Sequence, residues 1–255
     1  MVECMAKLIL LGSSNAIADK AHENTYMVLV GEKHTVLIDC VNNPLLRLQD
    51  VGVDFNSLTD LILTHFHPDH VSGVPLLLMN MWLMGRRAPL NIYGLHHTLD
   101  RVESMMASYE WGSWPDFFPI SFCRLPMHEL TTVMDVDEFK ILASPVHHMI
   151  PAIGLRVEFK PQQKALAYSC DTEPCQEVVH LAEGVDVLIH EAAGAFLGHS
   201  SAAQAAEDAR QAEVGELILI HYPTGRFASG DLVAEARERF SGPVRLAADF
   251  MVIEF

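Results

Sequence analysis

The stretch Thr64-His65-Phe66-His67-Pro68-Asp69-His70 decides how this chain is read. The apolar run Leu61-Ile62-Leu63 precedes it and Val71-Ser72-Gly73-Val74-Pro75 follows, which predicts a buried strand ending in a tight turn that opens a helix. Side chains alternate along a strand with period two, so His65 and His67 project to the same side. The turn then brings Asp69 and His70 back toward the same point. Three imidazoles and one carboxylate suit borderline divalent cations, and two pairs of donors this close suit two ions a few ångströms apart. The chain has 14 histidines, and several must be ordinary hydrogen-bonded residues. Four donors in register at one strand end are a stronger signal.

Composition bounds the rest. At 255 residues, half of them hydrophobic, the chain can bury a sizeable core, and no Ser/Gly-rich linker or charge block divides it. We expect a single domain over residues 1–255. No apolar run has the length of a membrane span, and Met1–Lys7 lacks the basic start and long apolar core of a signal peptide, so a cytoplasmic protein without membrane attachment is expected. The five cysteines (Cys4, Cys40, Cys123, Cys170, Cys175) are odd in number and form no C-x-x-C pair, which argues for small buried hydrophobes rather than a disulfide framework. A net charge of −16, with no basic cluster longer than Arg86-Arg87, makes long nucleic acid a poor substrate and leaves short phosphodiesters open.

Along the chain, strands are expected near 7–11, 26–30, 34–39, 61–64, 90–94, 120–125, 139–143, 153–159, 165–170, 185–190, 217–220, 244–247 and 251–255. Helices are expected over 44–51, 71–84, 96–109, 173–182, 202–212 and 232–240. Met79, Met81 and Met84 read as core filling, and His96 and His97 have no partner at ligand spacing. The Trp111–Phe118 segment, with two tryptophans, either packs over the core or walls a pocket. Asp39 closes an apolar strand and either buttresses a ligand or caps the next helix. The order, strand-rich then helical in each half, predicts a four-layer αββα sandwich of mixed α/β (α+β) class.

One turn cannot complete two cation shells. Three further strand ends carry candidates: Ser144-Pro145-Val146-His147-His148, Tyr168-Ser169-Cys170-Asp171-Thr172 and Leu217-Ile218-Leu219-Ile220-His221-Tyr222. Brought to one edge with the first turn, they would make a consistent shell.

These residues also carry a resemblance. The first turn resembles that of the metallo-β-lactamase superfamily, whose members bind one or two metals there, usually zinc. More narrowly, several stretches resemble the ribonuclease Z-like branch. Leu37-Ile38-Asp39-Cys40 resembles its strand ending in Asp, and His148 with Gly154 and Arg156 resembles its H-x-x-x-x-x-G-Y-R segment. Tyr168–Thr172 resembles Y-S-G-D-T, His190-Glu191-Ala192 resembles H-E-A-T, and Gly198-His199-Ser200-Ser201 resembles G-H-S-T. The closing stretch 248–254 is similar too. The resemblance implies one metal on His65, His67 and His148 and another on Asp69, His70 and His221, with Asp171 bridging. His148 is preferred to His147 by its distance to Gly154, and His147 becomes a neighbour of the shell. Two Zn²⁺ ions are implied, with Mn²⁺ or Fe²⁺ served by the same ligands. A homodimer is also implied.

The chemistry implied is attack by a hydroxide formed from a water shared between the metals. Asp69 would ligate and orient that water, and His199, oriented by Glu191, would protonate the leaving group. The plainer role for His199 is helix capping near Ser200-Ser201. Departures from the branch bear on substrate. His148 and Asp171 are 23 positions apart, too few for the protruding arm of tRNA-processing members. Cys170 stands where Gly is expected, Val41-Asn42-Asn43 replaces a G-x-G, and Arg226 lies one position further from His221 than the family's arginine. The function expected is therefore hydrolysis of a small, anionic phosphodiester. Hydrolysis of a lactone or other ester is the alternative, and a non-catalytic metal-binding scaffold is the second.

Overall fold

The computed structural model describes residues 6–228 and 230–255. Cys4 and most of the N-terminal stretch read above lie outside them. The first half runs β1 (Lys7–Gly12), β2 (Tyr26–Val30), β3 (Thr35–Ile38), α1 (Pro44–Asp50), β4 (Asp60–Ile62), α2 (Pro68–Val71), α3 (Val74–Leu83), β5 (Leu90–Leu95), α4 (His96–Ser108) and β6 (Ile120–Leu125). The second half runs β7 (Thr131–Asp135), β8 (Phe139–Val146), β9 (Ala152–Phe159), β10 (Lys164–Tyr168), α5 (Gln176–Leu181), β11 (Val187–Glu191), α6 (Ala202–Gln211), β12 (Glu216–Ile220), α7 (Leu232–Arg237), β13 (Val244–Leu246) and β14 (Val252–Glu254).

The strands make two seven-stranded sheets, ordered β14-β1-β2-β3-β4-β5-β6 and β13-β12-β11-β10-β9-β8-β7. Alternation in β1 shows how they stack. Leu8 and Leu10 point into the core between the sheets with Phe139, Ile141, Leu155 and Leu166. Ile9 and Leu11 face the opposite way, onto Leu48 of α1, Leu77 and Met81 of α3, and Leu99 and Val102 of α4. Both faces are buried, so the strand reads as a continuous apolar run. Helices α5, α6 and α7 cover the second sheet, and the alanines of α6 let it lie close. The αββα expectation holds.

Several local expectations change. The helix expected over 71–84 is two helices, because Pro68 starts α2 directly at the turn and the chain breaks at Ser72-Gly73. In α3 Met81 is buried but Met84 is 54% exposed, so the methionines do not all fill the core. Strand β7 was not foreseen, and β14 returns to the first sheet to pair with β1. The Trp111–Phe118 segment packs over α3: Trp114 stacks on Trp82 at 4.9 Å, and the Trp82 indole N–H donates to Pro115 O at 2.8 Å. Cys40, Cys170 and Cys175 are buried free thiols, as expected, and Cys123 is half-buried. Among the described residues no helix is long and apolar enough to cross a membrane.

The parallel strands β3–β4–β5–β6 and β10–β11–β12–β13 end on one rim of the sandwich, where ligands of α/β sheets commonly bind. There the sheets are stitched together by Ile153 N donating to Thr64 O at 3.1 Å. At the end of β1, Gly12 lies against the Asn24 carbonyl, and a Cβ there would sit 2.0 Å from that oxygen. Gly12→Ala must push the Ser13–Asn24 loop away from the rim, and overpacking of this kind costs about 1–3 kcal/mol or more. Chemical denaturation should show a lowered midpoint at unchanged slope, the shift times the slope giving that loss. A midpoint equal to that of the unmodified protein would contradict the close approach.

Candidate metal centre and catalytic cleft

The turn after β4 does what its spacing predicted, and the end of β8 comes to meet it. His67 Nδ1 lies 3.1 Å from His65 Nε2 and 3.0 Å from His148 Nε2. Beside this trio, Asp69, His70, Asp171 and His221 form a second group, each group having its donor atoms within 4.8 Å of one another. Asp171 lies between the two. Its Oδ2 is 3.9 Å from His65 Nε2, 3.4 Å from His70 Nε2 and 3.2 Å from His221 Nε2. All seven residues that the sequence singled out as metal donors are therefore brought together.

Outer hydrogen bonds fix which nitrogen of the His148 and His70 rings faces inward. His148 Nδ1 donates to Gly198 O at 2.7 Å, leaving Nε2 for the trio. His70 Nδ1 pairs with Asp39 Oδ2 at 2.7 Å, and Asp39 also accepts from Thr64 N at 2.8 Å and from its hydroxyl. Of the two roles open to Asp39, buttressing is the one observed, since α1 begins at Pro44 with Asn43 at its N-cap position and no side-chain cap. Three of the supporting strands end in left-handed backbone: Asp39 at φ 61°, Cys170 at 59° and His221 at 54°. Strained φ of this kind clusters at functional rims. It also explains why glycine is expected at position 170. The Cys170 thiol faces the outer nitrogen of His65 at 3.5 Å, and burial pushes it up well above the usual thiol range, so it is a neutral packing group.

The charge pattern favours cation binding. Burial, reinforced by neighbouring imidazoles, holds His65, His67 and His148 below the ordinary histidine range, so all three rings are neutral, the form that ligates. Burial would raise Asp171, but His221 and His70 hold it well below the carboxylate range. Burial likewise opposes charge on His70, which Asp171 and Asp39 overcome. His70 Nε2 and Asp171 Oδ1 are buried with no hydrogen-bond partner. Tetrahedral zinc with bonds of about 2.0–2.1 Å sets its nitrogens about 3.3 Å apart, close to the spacings of the trio. The donor sets thus fit two divalent cations.

His199 and Glu191 also reach the site. His199 Nδ1 bonds Glu191 Oε1 at 2.8 Å, while buried Glu191 accepts backbone N–H bonds from Thr172, Ala193 and Ser200. Burial opposes protonation of His199, but the Glu191 bond and charge raise it above the ordinary range. His199 is not the cap of α6, because Ser201 accepts from Gln204 N in a reciprocal capping box. His190, next to Glu191 in sequence, is instead a buried tie to Asp208. His147 does not join the shell and faces Glu177 and Cys175.

A cleft of about 370 Å³ opens over these groups, lined by His67, Asp69, Asp171, His199 and His221. Its remaining wall was not read from the sequence: Asn15 and Ile17 from the loop after β1, with Met149 and Phe196. Ile17, Met149 and Phe196 are each more than half exposed. Isolated apolar residues in polar loops give no signal until the loops are folded together.

The family model described as "Anti-Pycsar protein Apyc1" matches residues 6–226. A protein named Ribonuclease Z from Mycobacterium sp. (strain KMS) is 30% identical, covering 98% of this chain and 96% of its own length. A Ribonuclease Z from Methanothermobacter thermautotrophicus is 27% identical over 98% of this chain and 97% of its own. Among solved structures, the metallo-β-lactamase fold protein YhfI from Bacillus subtilis superposes with a TM-score of 0.81 at 22% identity, covering 98% of this chain and all of that one.

The Asp39–His70 pair supplies a direct check of the site's electrostatics. Asp39→Asn removes a charge that favours protonated His70, so in chelator-treated protein the His70 ring should titrate at lower pH than in the unmodified chain. Imidazole NMR reads the shift. An unchanged or higher midpoint would mean that the pair does not support His70 as described.

Proposed function

The chain belongs to the Apyc1 family within the ribonuclease Z-like branch of the metallo-β-lactamase superfamily, and from that premise we propose that it is a metal-dependent hydrolase of small phosphodiesters. In this reading His65, His67 and His148 hold one divalent cation, Asp69, His70 and His221 hold the other, and Asp171 serves both. Zn²⁺ is the natural choice for such imidazole-rich ligands, with Mn²⁺ and Fe²⁺ as alternatives. Bound there, the cations supply a nucleophile from water at neutral pH and neutralise charge on the phosphoryl oxygens.

The chain's own groups do the rest. Asp69, at the edge of the cleft, orients the attacking water. His199 donates Nδ1–H to Glu191, whose charge favours the doubly protonated ring, so Nε2 also carries a proton, which it delivers to the departing alkoxide. The observation that carries this reading is the convergence in one cleft of two cation-suited donor groups sharing Asp171 with an imidazole whose proton affinity is raised.

A small substrate is supported by the cleft's size, by a described lining that includes no lysine or arginine, and by the net charge of −16. Only the short β9–β10 hairpin and its flanks fill the 23 positions from His148 to Asp171. Kinship with proteins named Ribonuclease Z points the other way, toward RNA, and an RNA substrate is an outcome the assay must include. The apolar rim of Ile17, Met149 and Phe196 favours one further reading, hydrolysis of a neutral lactone or other ester by the same centre.

Turnover of bis(p-nitrophenyl) phosphate, an alkyl phosphodiester, an acyl-lactone panel and a structured RNA, each with Zn²⁺ or Mn²⁺ added, separates these readings. Phosphodiester turnover is expected. Lactone turnover alone would favour the ester reading, and no turnover with two metals bound would favour a scaffold. His199→Ala should lower kcat on the alkyl diester by about 10²–10⁴-fold with metal content retained, and far less on the p-nitrophenyl ester, whose leaving group needs no proton. Equal losses on both would remove His199 from the general-acid role.

The pH profile tests the Glu191 contribution. A general acid works below its pKa, so activity falls as pH rises through that of His199. Glu191 raises that value, so Glu191→Gln should move the alkaline limb of kcat to lower pH. A limb that stays in place would mean that another group sets it.

A further inference from the structure

A second constellation of donors lies outside the cleft. His147 follows β8 directly and turns away from its neighbour His148, toward the segment that leads into α5. Its Nε2 is 3.4 Å from Glu177 Oε1, and with the Cys175 sulfur the three side chains each bring one donor atom within 4.8 Å of the other two. Imidazole, thiol and carboxylate side chains from two separate segments therefore meet at one point, a donor set not shared with either group in the cleft.

The frame that presents them is fixed. His147 N donates to the Thr172 hydroxyl at 3.1 Å, and Glu173 N donates to His147 O at 2.8 Å. Cys175 is buried and extended just before α5, with Thr172 Oγ1 3.6 Å from its sulfur. His147 is largely exposed and Glu177 partly so, which leaves the point open to solvent. An exposed His–Glu ion pair contributes little on its own and does not account for a thiol turned toward it.

We propose that His147, Cys175 and Glu177 form an outer binding site for a borderline or soft divalent cation of the Zn²⁺ or Cd²⁺ kind. Three protein ligands of mixed N, S and O type with the remaining position open to water match the preferences of such ions, whereas Mg²⁺ and Ca²⁺ prefer all-oxygen shells. Binding converts the thiol to a thiolate, and the released proton goes to solvent. His147 is next to His148 in the chain and Cys175 lies shortly after Asp171, so a bound cation would brace both segments that feed the cleft.

Equilibrium dialysis against Zn²⁺ with elemental analysis, and Cd²⁺ titration followed by thiolate-to-metal absorption in the ultraviolet, test this on the full chain. The intact protein should bind one equivalent more than His147→Ala, Cys175→Ser or Glu177→Gln. His147 is exposed enough that its replacement should leave the fold intact. The thiolate band should survive Cys170→Ser and vanish in Cys175→Ser. Equal stoichiometry in the intact protein and the variants, no thiolate band in the intact protein, or a band undiminished in Cys175→Ser would overturn the proposal. The readout is a difference between variants, so it stands or falls apart from the occupancy of the cleft.

Discussion

Everything at the rim depends on seven polar side chains crowded at the floor of the cleft, four of them buried and three half-buried, with Asp171 in their midst. Unpaired polar groups are costly to bury, and like-charged imidazoles at about 3 Å cannot all carry protons. The protein meets the second constraint by keeping His65, His67 and His148 neutral and concentrating charge on His70 and Asp171. The first constraint is met only in part by hydrogen bonds, as the unpartnered His70 Nε2 and Asp171 Oδ1 show. Divalent cations are the chemical complement of that arrangement.

The fold serves this crowding. The donors stand in the segments that follow strand ends, Asp69 and His70 in α2 just beyond β4, and the strands ending near Asp39, Cys170 and His221 turn there through left-handed conformations that disfavour side chains. Hydrogen bonds between the rim segments hold those turns: Asp39 to Thr64 and His70, Thr64 O to Ile153 N, and Ser13 O to His221 N at 2.9 Å. The sandwich core behind them, filled from both sheets by Leu, Ile, Val and Phe, makes the rim stiff enough to keep its spacings.

Glu191 shows the same economy around the proton that matters. Its carboxylate accepts three backbone N–H groups and the His199 ring, so it fixes the loop carrying His199 as well as the ring's orientation. Beside it, the cleft offers negative and neutral groups, imidazoles and a partly apolar rim. A substrate suited to it carries its negative charge at one reacting group and little elsewhere.

Much of this was legible in the chain itself. Period-two alternation and strand-end position were enough to group His65, His67, Asp69 and His70, because those relations are local. Strand-end position also put forward His147 or His148, Asp171 and His221, and resemblance over nearly the whole chain then chose His148 and added His199 and Glu191. Residue chemistry alone left Asp39 between two roles, and no local rule could show that its carboxylate reaches Thr64 and His70 across 25 and 31 positions. The strand β7, the packing of Trp114 on Trp82 and the outward turn of His147 likewise depend on contacts between distant segments. Sequence by itself determined which groups could bind and react, since that is fixed by side-chain chemistry and short-range periodicity. Tertiary structure decided which of them meet, at what spacing and in which protonation state, because distance, burial and neighbouring charge exist only once the two sheets have closed on each other.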